Sequence, residues 1–445
     1  MLPLAVLLAQ CGHTIYGSDR ARDQGKLPEK FRALENLGIT LCPQDGNGVD
    51  KADVLVVSSA VEDSIPDVRA ALDKDIPIIK RGVLLAELFN DAKERIAVAG
   101  TSGKSTVTGM IGTILAQLGL DPTVVNGGAV LNFAGDFPSV RKGCDSLFVA
   151  EMDESDGSIN HYNPSIALLN NIALDHKSMD ELEHMFGDYL MRTSKAVIIN
   201  AGNERVQALH NSLSISAPII RYGIEDKEAD VTALNLLPSR EGIGFTLRCG
   251  GAEYPVHLKQ MGRHNVENAL AALCVCRVMG VDMSAAVTAL ESFKGIHRRM
   301  ALIGTKNGIS VYDDFGHNPD KISASLQSLK DFHGRLIIMF QMHGFGPLKL
   351  MGREIAQAFF NHMDKDDILL MPEVYYAGGT VDRAITAKDL IDWVRQEGKQ
   401  AQWFETRDEI PAFIRENARE GDRIVIMGAR DDTLHDFAKA VLSGL

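Results

Sequence analysis

The sequence predicts an α/β protein built in three blocks, residues 1–90, 91–297 and 298–445. Three observations carry this reading. Short β-branched runs of strand length alternate with stretches of helical spacing, the pattern of parallel sheets with crossover helices. The pattern changes character near residues 90 and 297, although no Pro- or Gly-rich linker marks either place. At 445 residues, 45% hydrophobic and 24% charged, the chain has material for roughly two to four domains with cores of their own.

In the first block Met1–Gln10 reads as a helix, and His13–Gly17 as a strand ending at Ser18-Asp19. Further strands are expected at Asp53–Ser58 and Ile76–Ile79, and helices at Phe31–Leu37 and Ile65–Leu72. A dinucleotide-type fold opens with a strand and a glycine-rich turn before its first helix. This sequence opens within that helix. Asp19, at a strand end, reads equally as an acid that holds a ribose or as a turn aspartate.

The second block opens on Arg95–Thr106. Arg95–Ala99 is a buried strand by composition, Gly100-Thr101-Ser102-Gly103 a tight turn, and a helix is expected from Ser105. Apolar residues at Val107, Met110, Ile111, Ile114, Leu115 and Leu118 follow helical spacing. Strand, glycine turn, lysine and helix N-terminus together make an anion cradle. There Lys104 would reach the β- and γ-phosphates of a nucleotide and the Ser105 hydroxyl would ligate Mg²⁺. The match to the phosphate-loop pattern is partial, because Val98 stands where its first glycine belongs.

The strand Ser146–Val149 runs into Ala150–Asp156, which carries four carboxylates in six residues. Strand ends are where such sheets place ligands, and Mg²⁺ takes hard oxygen donors, so Glu151 is a candidate. A further strand, Ser165–Asn170, leads to His176, a candidate metal or phosphate contact. Ile243–Arg248 and Tyr254–Leu258 alternate around Gly250-Gly251 as a hairpin. Asn268 opens a helix expected over Ala269–Met279, either to meet an adenine edge or simply as a helix-start asparagine. The third block shows strands at Gly308–Tyr312, Arg335–Phe340, Asp367–Met371 and Asp422–Met427. Loops of functional type follow two of them, at Asp313–Pro319 and Gly344–Lys349.

A net charge of −13 argues against nucleic acid as a partner, though not against a nucleotide. Six cysteines without zinc spacing are expected to be reduced thiols in the cytoplasm. No apolar run reaches the length of a membrane span, and Met1–Ala9 lacks the basic flank of a signal peptide. No membrane partner is expected.

Assembled in order, these stretches resemble the Mur ligase family, and most closely its alanine-adding branch. Gly100–Thr106 looks like its ATP loop, Glu151–Ser158 like its acidic motif, and Asn171–His176 like its second metal-side motif. His264–Asn268 is similar to its adenine-side helix start, Arg298-Arg299 to its phosphate-contacting arginines, and Tyr312–His317 to the loop that closes over ATP. The resemblance implies a Rossmann-like N-terminal domain whose first strand is missing from the sequence, a central P-loop ATPase domain and a C-terminal Rossmann-like α/β domain. It implies ATP and Mg²⁺, with UDP-N-acetylmuramate and an amino acid or short peptide as partners, in a monomer or homodimer. Catalytic residues would be Lys104, Glu151, His176, Arg299 and His317, with Ser105, Glu151 and His176 on the metal. ATP would be held by Gly100, Thr101, Ser102, Gly103, Lys104, Ser105, Thr106, Asn268, Arg299 and Asp314, and substrate by Asp19, Ser59, Ser155, His343 and Lys349.

Departures from the family pattern bear on the substrates. The missing glycine turn implies either an altered sugar-nucleotide site or a start that lies upstream. Met191-Arg192 stands where several branches carry a carbamylated lysine, in keeping with the alanine-adding branch. Asn318 replaces a second histidine, and Gly344–Leu350 replaces arginines expected near the incoming amino acid. Lys349-Leu350-Met351-Gly352 looks like the branch that attaches a recycled murein tripeptide, whereas Glu373–Gly379 looks like the alanine branch. The expected activity is amide formation between UDP-N-acetylmuramate and L-alanine through an acyl phosphate. A murein-peptide ligase and a non-catalytic nucleotide-binding relative are the alternatives.

Overall fold

Five wholly or largely apolar strands, Cys144–Glu151, Glu94–Ala99, Ile166–Leu169, Ala196–Asn200 and Ile219–Ile224, run parallel side by side. Glu94–Ala99 lies between the first and the third of them. The computed structural model to which they belong describes the chain except residues 59–60, 174–176, 240, 376–383, 430 and 432. It divides into two units. One comprises Met1–Asn235, Phe245–Val256 and Val266–Lys294; the other comprises Leu236–Gly244, His257–Asn265 and Gly295–Leu445.

The five strands belong to a ten-stranded sheet. Pro122–Val125 and Val140–Arg141 extend it on one side; Val231–Ser239, Gly242–Cys249 and Ala252–Leu258 extend it on the other. The central strands are buried on both faces, which explains why their sequences are continuously apolar rather than alternating. The helix after the central strand spans Lys104–Gln117, one residue earlier than its sequence suggests. It is buried on more faces than an apolar stripe implies: Thr108 and Thr113 are enclosed along with Val107, Met110, Ile111, Ile114 and Leu115.

The helix Met179–Met191, not foreseen from the sequence, begins with a reciprocal Ser178–Glu181 cap. It turns Leu182, Met185, Phe186, Tyr189 and Leu190 into the core. The Tyr189 hydroxyl donates to Ala97 O at 2.8 Å and accepts from Leu168 N at 3.2 Å, so one phenol oxygen ties two neighbouring strands. Complete burial pushes that phenol far above the ordinary tyrosine range.

The N-terminal residues are α/β as expected, with shorter strands. Tyr16–Gly17 pairs with Thr40–Leu41, and Leu55–Val57 with Ile78–Lys80, both in parallel. The expected strand from His13 is confined to Tyr16–Gly17, and Asp19 caps the short helix that follows by accepting from Ala21 N. The opening helix, Leu2–Gln10, buries Leu4, Val6 and Leu7 in the same core as Phe89, Phe148 and Tyr162.

The second unit carries a six-stranded sheet in the order Ala301–Lys306, Ile309–Asp314, Arg423–Gly428, Leu336–Gln341, Ile368–Pro372 and Gln400–Phe404. Only its first pair is antiparallel. That hairpin turns on Asn307-Gly308, both at positive φ (53° and 72°), a turn signal that announces the unforeseen strand Ala301–Lys306. Apolar clusters cover both faces of the sheet. Among the described residues no helix is long and apolar enough to cross a membrane.

Tyr189→Phe removes one atom and strands the Ala97 carbonyl and the Leu168 amide. Its expected effect is a loss of about 1–3 kcal/mol from the first unit, read as a lower denaturant midpoint for the transition that reports it.

Candidate active site

Strand register builds the centre of the first unit. Val98 lies opposite Glu151 and Ala99 opposite Leu169, so Gly100 and Thr101 continue alongside Asn170 and Asn171. The Asn171 Oδ1 accepts from Ser102 N at 2.8 Å and from the Thr101 hydroxyl at 3.0 Å. Asn171 Nδ2 and Asn170 Nδ2 donate to Ser102 O at 3.0 and 3.1 Å. Asn170 Nδ2 also donates to Asn268 Oδ1 at 3.0 Å, and its own Oδ1 accepts from the Tyr222 hydroxyl at 2.5 Å. The loop therefore rests on a floor of neutral amides and one phenol.

Glycine is required twice. Gly100 has φ +133°, and a Cβ there would come within 3.1 Å of Asn171 N. Gly103, at φ +83°, would press a Cβ to 2.5 Å from both Asn170 Nδ2 and Asn268 Oδ1. It sits at the N-cap of the helix Lys104–Gln117, whose first-turn amides have no acceptor within the helix. Amides and helix dipole thus face the turn.

Lys104 bends back over this turn. Its ammonium donates to Gly100 O at 2.7 Å and to both oxygens of Glu154, at 2.8 and 2.9 Å. The four carboxylates of the acidic stretch divide their work. Glu154 is buried against Lys104, while Asp153 and Asp156 both hold Arg81. Burial raises Asp156, but hydrogen bonds from Ser158 and the Arg81 charge outweigh it and leave its carboxyl below the usual range. Glu151, the last residue of its strand, accepts from Gly127 N at 2.8 Å. Beside it, buried Asn126 donates to Ser105 O at 3.0 Å while its own Oδ1 has no partner.

In the second unit, Arg298 and Arg299 both approach the Phe315 ring, but Arg298 is buried and Arg299 is exposed. The backbone is left-handed at Arg298 (φ 57°) and Met300 (φ 47°), on either side of Arg299. Arg298 is buried, donating to Gly428 O at 2.8 Å, Asp431 O at 2.9 Å and Asp313 Oδ1 at 3.3 Å. Arg299 is exposed and lies over the Phe315 ring. His317 meets Phe315 and His343 edge to face, and its Nδ1 lies 2.8 Å from Phe315 O. Burial first, then the charge of Lys321, pushes His317 down to about 4. Asp314 accepts from Met300 N, Gly316 N and the Ser325 hydroxyl, so its carboxylate shapes the loop.

Three stretches match the known domains of one family. Residues 1–93 match the Mur ligase family catalytic domain, 98–276 the Mur ligase middle domain, and 298–430 the Mur ligase glutamate ligase domain. The UDP-N-acetylmuramate–L-alanine ligase of Caldanaerobacter subterraneus is 32% identical over 96% of this chain and 92% of its own length. The chain belongs to the Mur ligase family. The corresponding protein of Methylobacillus flagellatus is 34% identical over 96% of this chain and 91% of its own. Among solved structures, this Mur ligase is similar to the UDP-N-acetylmuramate–alanine ligase of Thermotoga maritima, with TM-score 0.80 and 26% identity over 100% of this chain and 95% of that one. The murein peptide ligase of Psychrobacter arcticus gives TM-score 0.68 at 26% identity, over 100% and 96%.

Two residues expected in the site, Ser59 and His176, lie outside the described residues. Asn268 lies in the second turn of a helix that starts at Arg263 rather than near Ala269, and it supports the loop from beneath. Arg298, expected on phosphate beside Arg299, is instead committed to the interior of its own unit. Asn318 caps the helix Pro319–Lys330 by accepting from Lys321 N. Ser155 donates to Asp153 Oδ1, and Lys349 is exposed on the helix Phe345–His362. Asp19 lines a cavity of about 440 Å³ with Ser18, Arg20, Gln44, Val61, Glu62 and Ile65. Sequence reading missed Glu154 as the partner of Lys104, and Tyr222 altogether.

Gly103→Ala should weaken nucleotide binding about tenfold or more in equilibrium titration, since about 1.4 kcal/mol of loop displacement gives that factor. His317 carries a pH dependence. Its folded value lies below the ordinary 6.5, so the unfolded chain takes the proton first. The stability it contributes is complete above that ordinary value and is lost as pH falls through about 4. His317→Asn should flatten this acid-side loss, of order 3 kcal/mol, in denaturation midpoints measured across the window.

Proposed function

We propose that this Mur ligase joins L-alanine to the carboxylate of UDP-N-acetylmuramate, using ATP, in peptidoglycan precursor synthesis. The observation that carries the reading is the Lys104 ammonium held over a glycine turn at a helix N-terminus, with Glu154 as its counter-ion. Residues 1–90 would take the sugar nucleotide, 91–297 the ATP and 298–445 the incoming amine. The same reading places the reaction in the cytoplasm.

Both ATP and the acceptor carboxylate are anions, so cationic groups must offset their repulsion as charge moves between them. Lys104 would exchange Glu154 for the β- and γ-phosphates while the first-turn amides hold their oxygens. Arg299, the exposed member of its pair, would neutralise phosphate, and neutral His317 would accept a hydrogen bond rather than add charge. The attacking amine must lose a proton before the acyl phosphate is displaced, and phosphate leaves from the tetrahedral intermediate.

The donor set suits Mg²⁺. The Ser105 hydroxyl, the Glu151 carboxylate and the unpartnered Asn126 oxygen are hard ligands on adjoining segments, and Gly127 leaves room that a Cβ would fill at 2.7 Å from Glu151. Ser105 and Glu151 would hold the ion, with His176 as a further ligand. When bound, the ion supplies Lewis-acid neutralisation of phosphate oxygens.

Phosphate release, with ATP and UDP-N-acetylmuramate present, should require L-alanine and should fall about a hundredfold to a thousandfold in Lys104→Ala. Turnover with a murein tripeptide and none with alanine would transfer the assignment to the peptide-attaching branch. ATP binding without turnover on either acceptor would favour a non-catalytic relative.

A further inference from the structure

The second unit brings together two imidazoles and a carboxylate that the proposed reaction gives no role. Among the described residues, His297, Asp313 and His435 form a group whose ligand atoms all lie within 4.8 Å of one another. They come from three places: the turn before Arg298, the end of the strand Ile309–Asp314, and the first turn of the helix Leu434–Gly444. We propose that His297, Asp313 and His435 form a binding site for a borderline divalent metal ion such as Zn²⁺, Co²⁺ or Ni²⁺, separate from the hard-oxygen site at Ser105 and Glu151.

The arrangement has the parts of a ligand set. Asp313 is wholly buried, and its Oδ1 accepts from Arg298 Nε at 3.3 Å. Arg298 is fixed in turn by Gly428 O and Asp431 O, so the carboxylate is oriented from behind, as outer partners orient metal-bound carboxylates. The other oxygen, Oδ2, lies 2.9 Å from His435 Nδ1. His297 and His435 meet at 4.1 Å between ring centres and 61° between planes, and a nitrogen of each lies within 4.8 Å of the other and of an Asp313 oxygen.

Ligands about 2 Å from a tetrahedral ion stand roughly 3.3 Å apart, so the three ligand atoms, now within 4.8 Å of one another, would draw together on binding. Arg298 offsets the Asp313 charge, so affinity must come from imidazole lone pairs. That disfavours Mg²⁺ and selects metals suited to nitrogen.

The test is Co²⁺ titration of the full chain in saturating Mg²⁺, followed by visible absorption and calorimetry. One equivalent should bind, with d–d bands and without the near-ultraviolet charge-transfer band of a thiolate, which excludes the cysteines. His297→Gln and His435→Gln should each weaken binding about tenfold or more, with metal-free thermal midpoints confirming that both fold. His297→Gln leaves the Asp313 contacts to Arg298 and His435 in place, so it decides the matter if the other variant is unstable. No Co²⁺ bound in saturating Mg²⁺, a thiolate band, or affinity unchanged in His297→Gln would each overturn the proposal.

Discussion

The candidate active site depends on where a single ammonium finds its acceptors. Lys104 emerges at the head of a helix, where the dipole is positive and neighbouring amides are donors, so its own charge is unfavourable there unless countered. Gly100 O and the two oxygens of Glu154 supply the counter-charge. Glu154 is buried and has a cation in contact, the condition under which an interior carboxylate is tolerated. On the proposed function, nucleotide binding at this turn would be a replacement of carboxylate by phosphate around a cation already in position.

What keeps the turn in shape is neutral. Asn170, Asn171 and Asn268 with the Tyr222 hydroxyl hold the backbone of Thr101 and Ser102 without adding charge of either sign. A charged floor would bias the site toward or against an anion before Lys104 acted. The amide floor fixes geometry and leaves the electrostatics to Lys104 and Glu154. Tyr189 performs a similar service deeper in the sheet, tying the two strands from which the turn and its asparagines emerge.

Local patterns were legible in the sequence; long-range pairings were not. The strand, glycine turn, lysine and helix could be read because each is a short-range constraint on backbone shape. The expectation of three α/β domains of the Mur ligase type is borne out by matches to all three domain families. The pairing of Lys104 with Glu154 spans fifty positions and depends on strand register, which periodicity does not disclose. Tyr222 gave no signal, because a tyrosine in an apolar strand reads as core. Arg298 and Arg299 looked equivalent as neighbours, but only one is buried, amid left-handed backbone. The Asn307-Gly308 turn, by contrast, was a readable sign of a hairpin whose first strand the pattern-reading overlooked.

The cysteines have a practical consequence. Cys249, Cys274 and Cys276 are buried, and burial pushes the Cys274 thiol well up and that of Cys276 to about 12, so these remain protonated and unreactive. Cys11, exposed just past the first helix, is the sulfur most open to a second molecule. Among the six cysteines it is therefore the one through which two chains could be joined by an oxidant, and Cys11→Ser removes that route before an assembly state is measured.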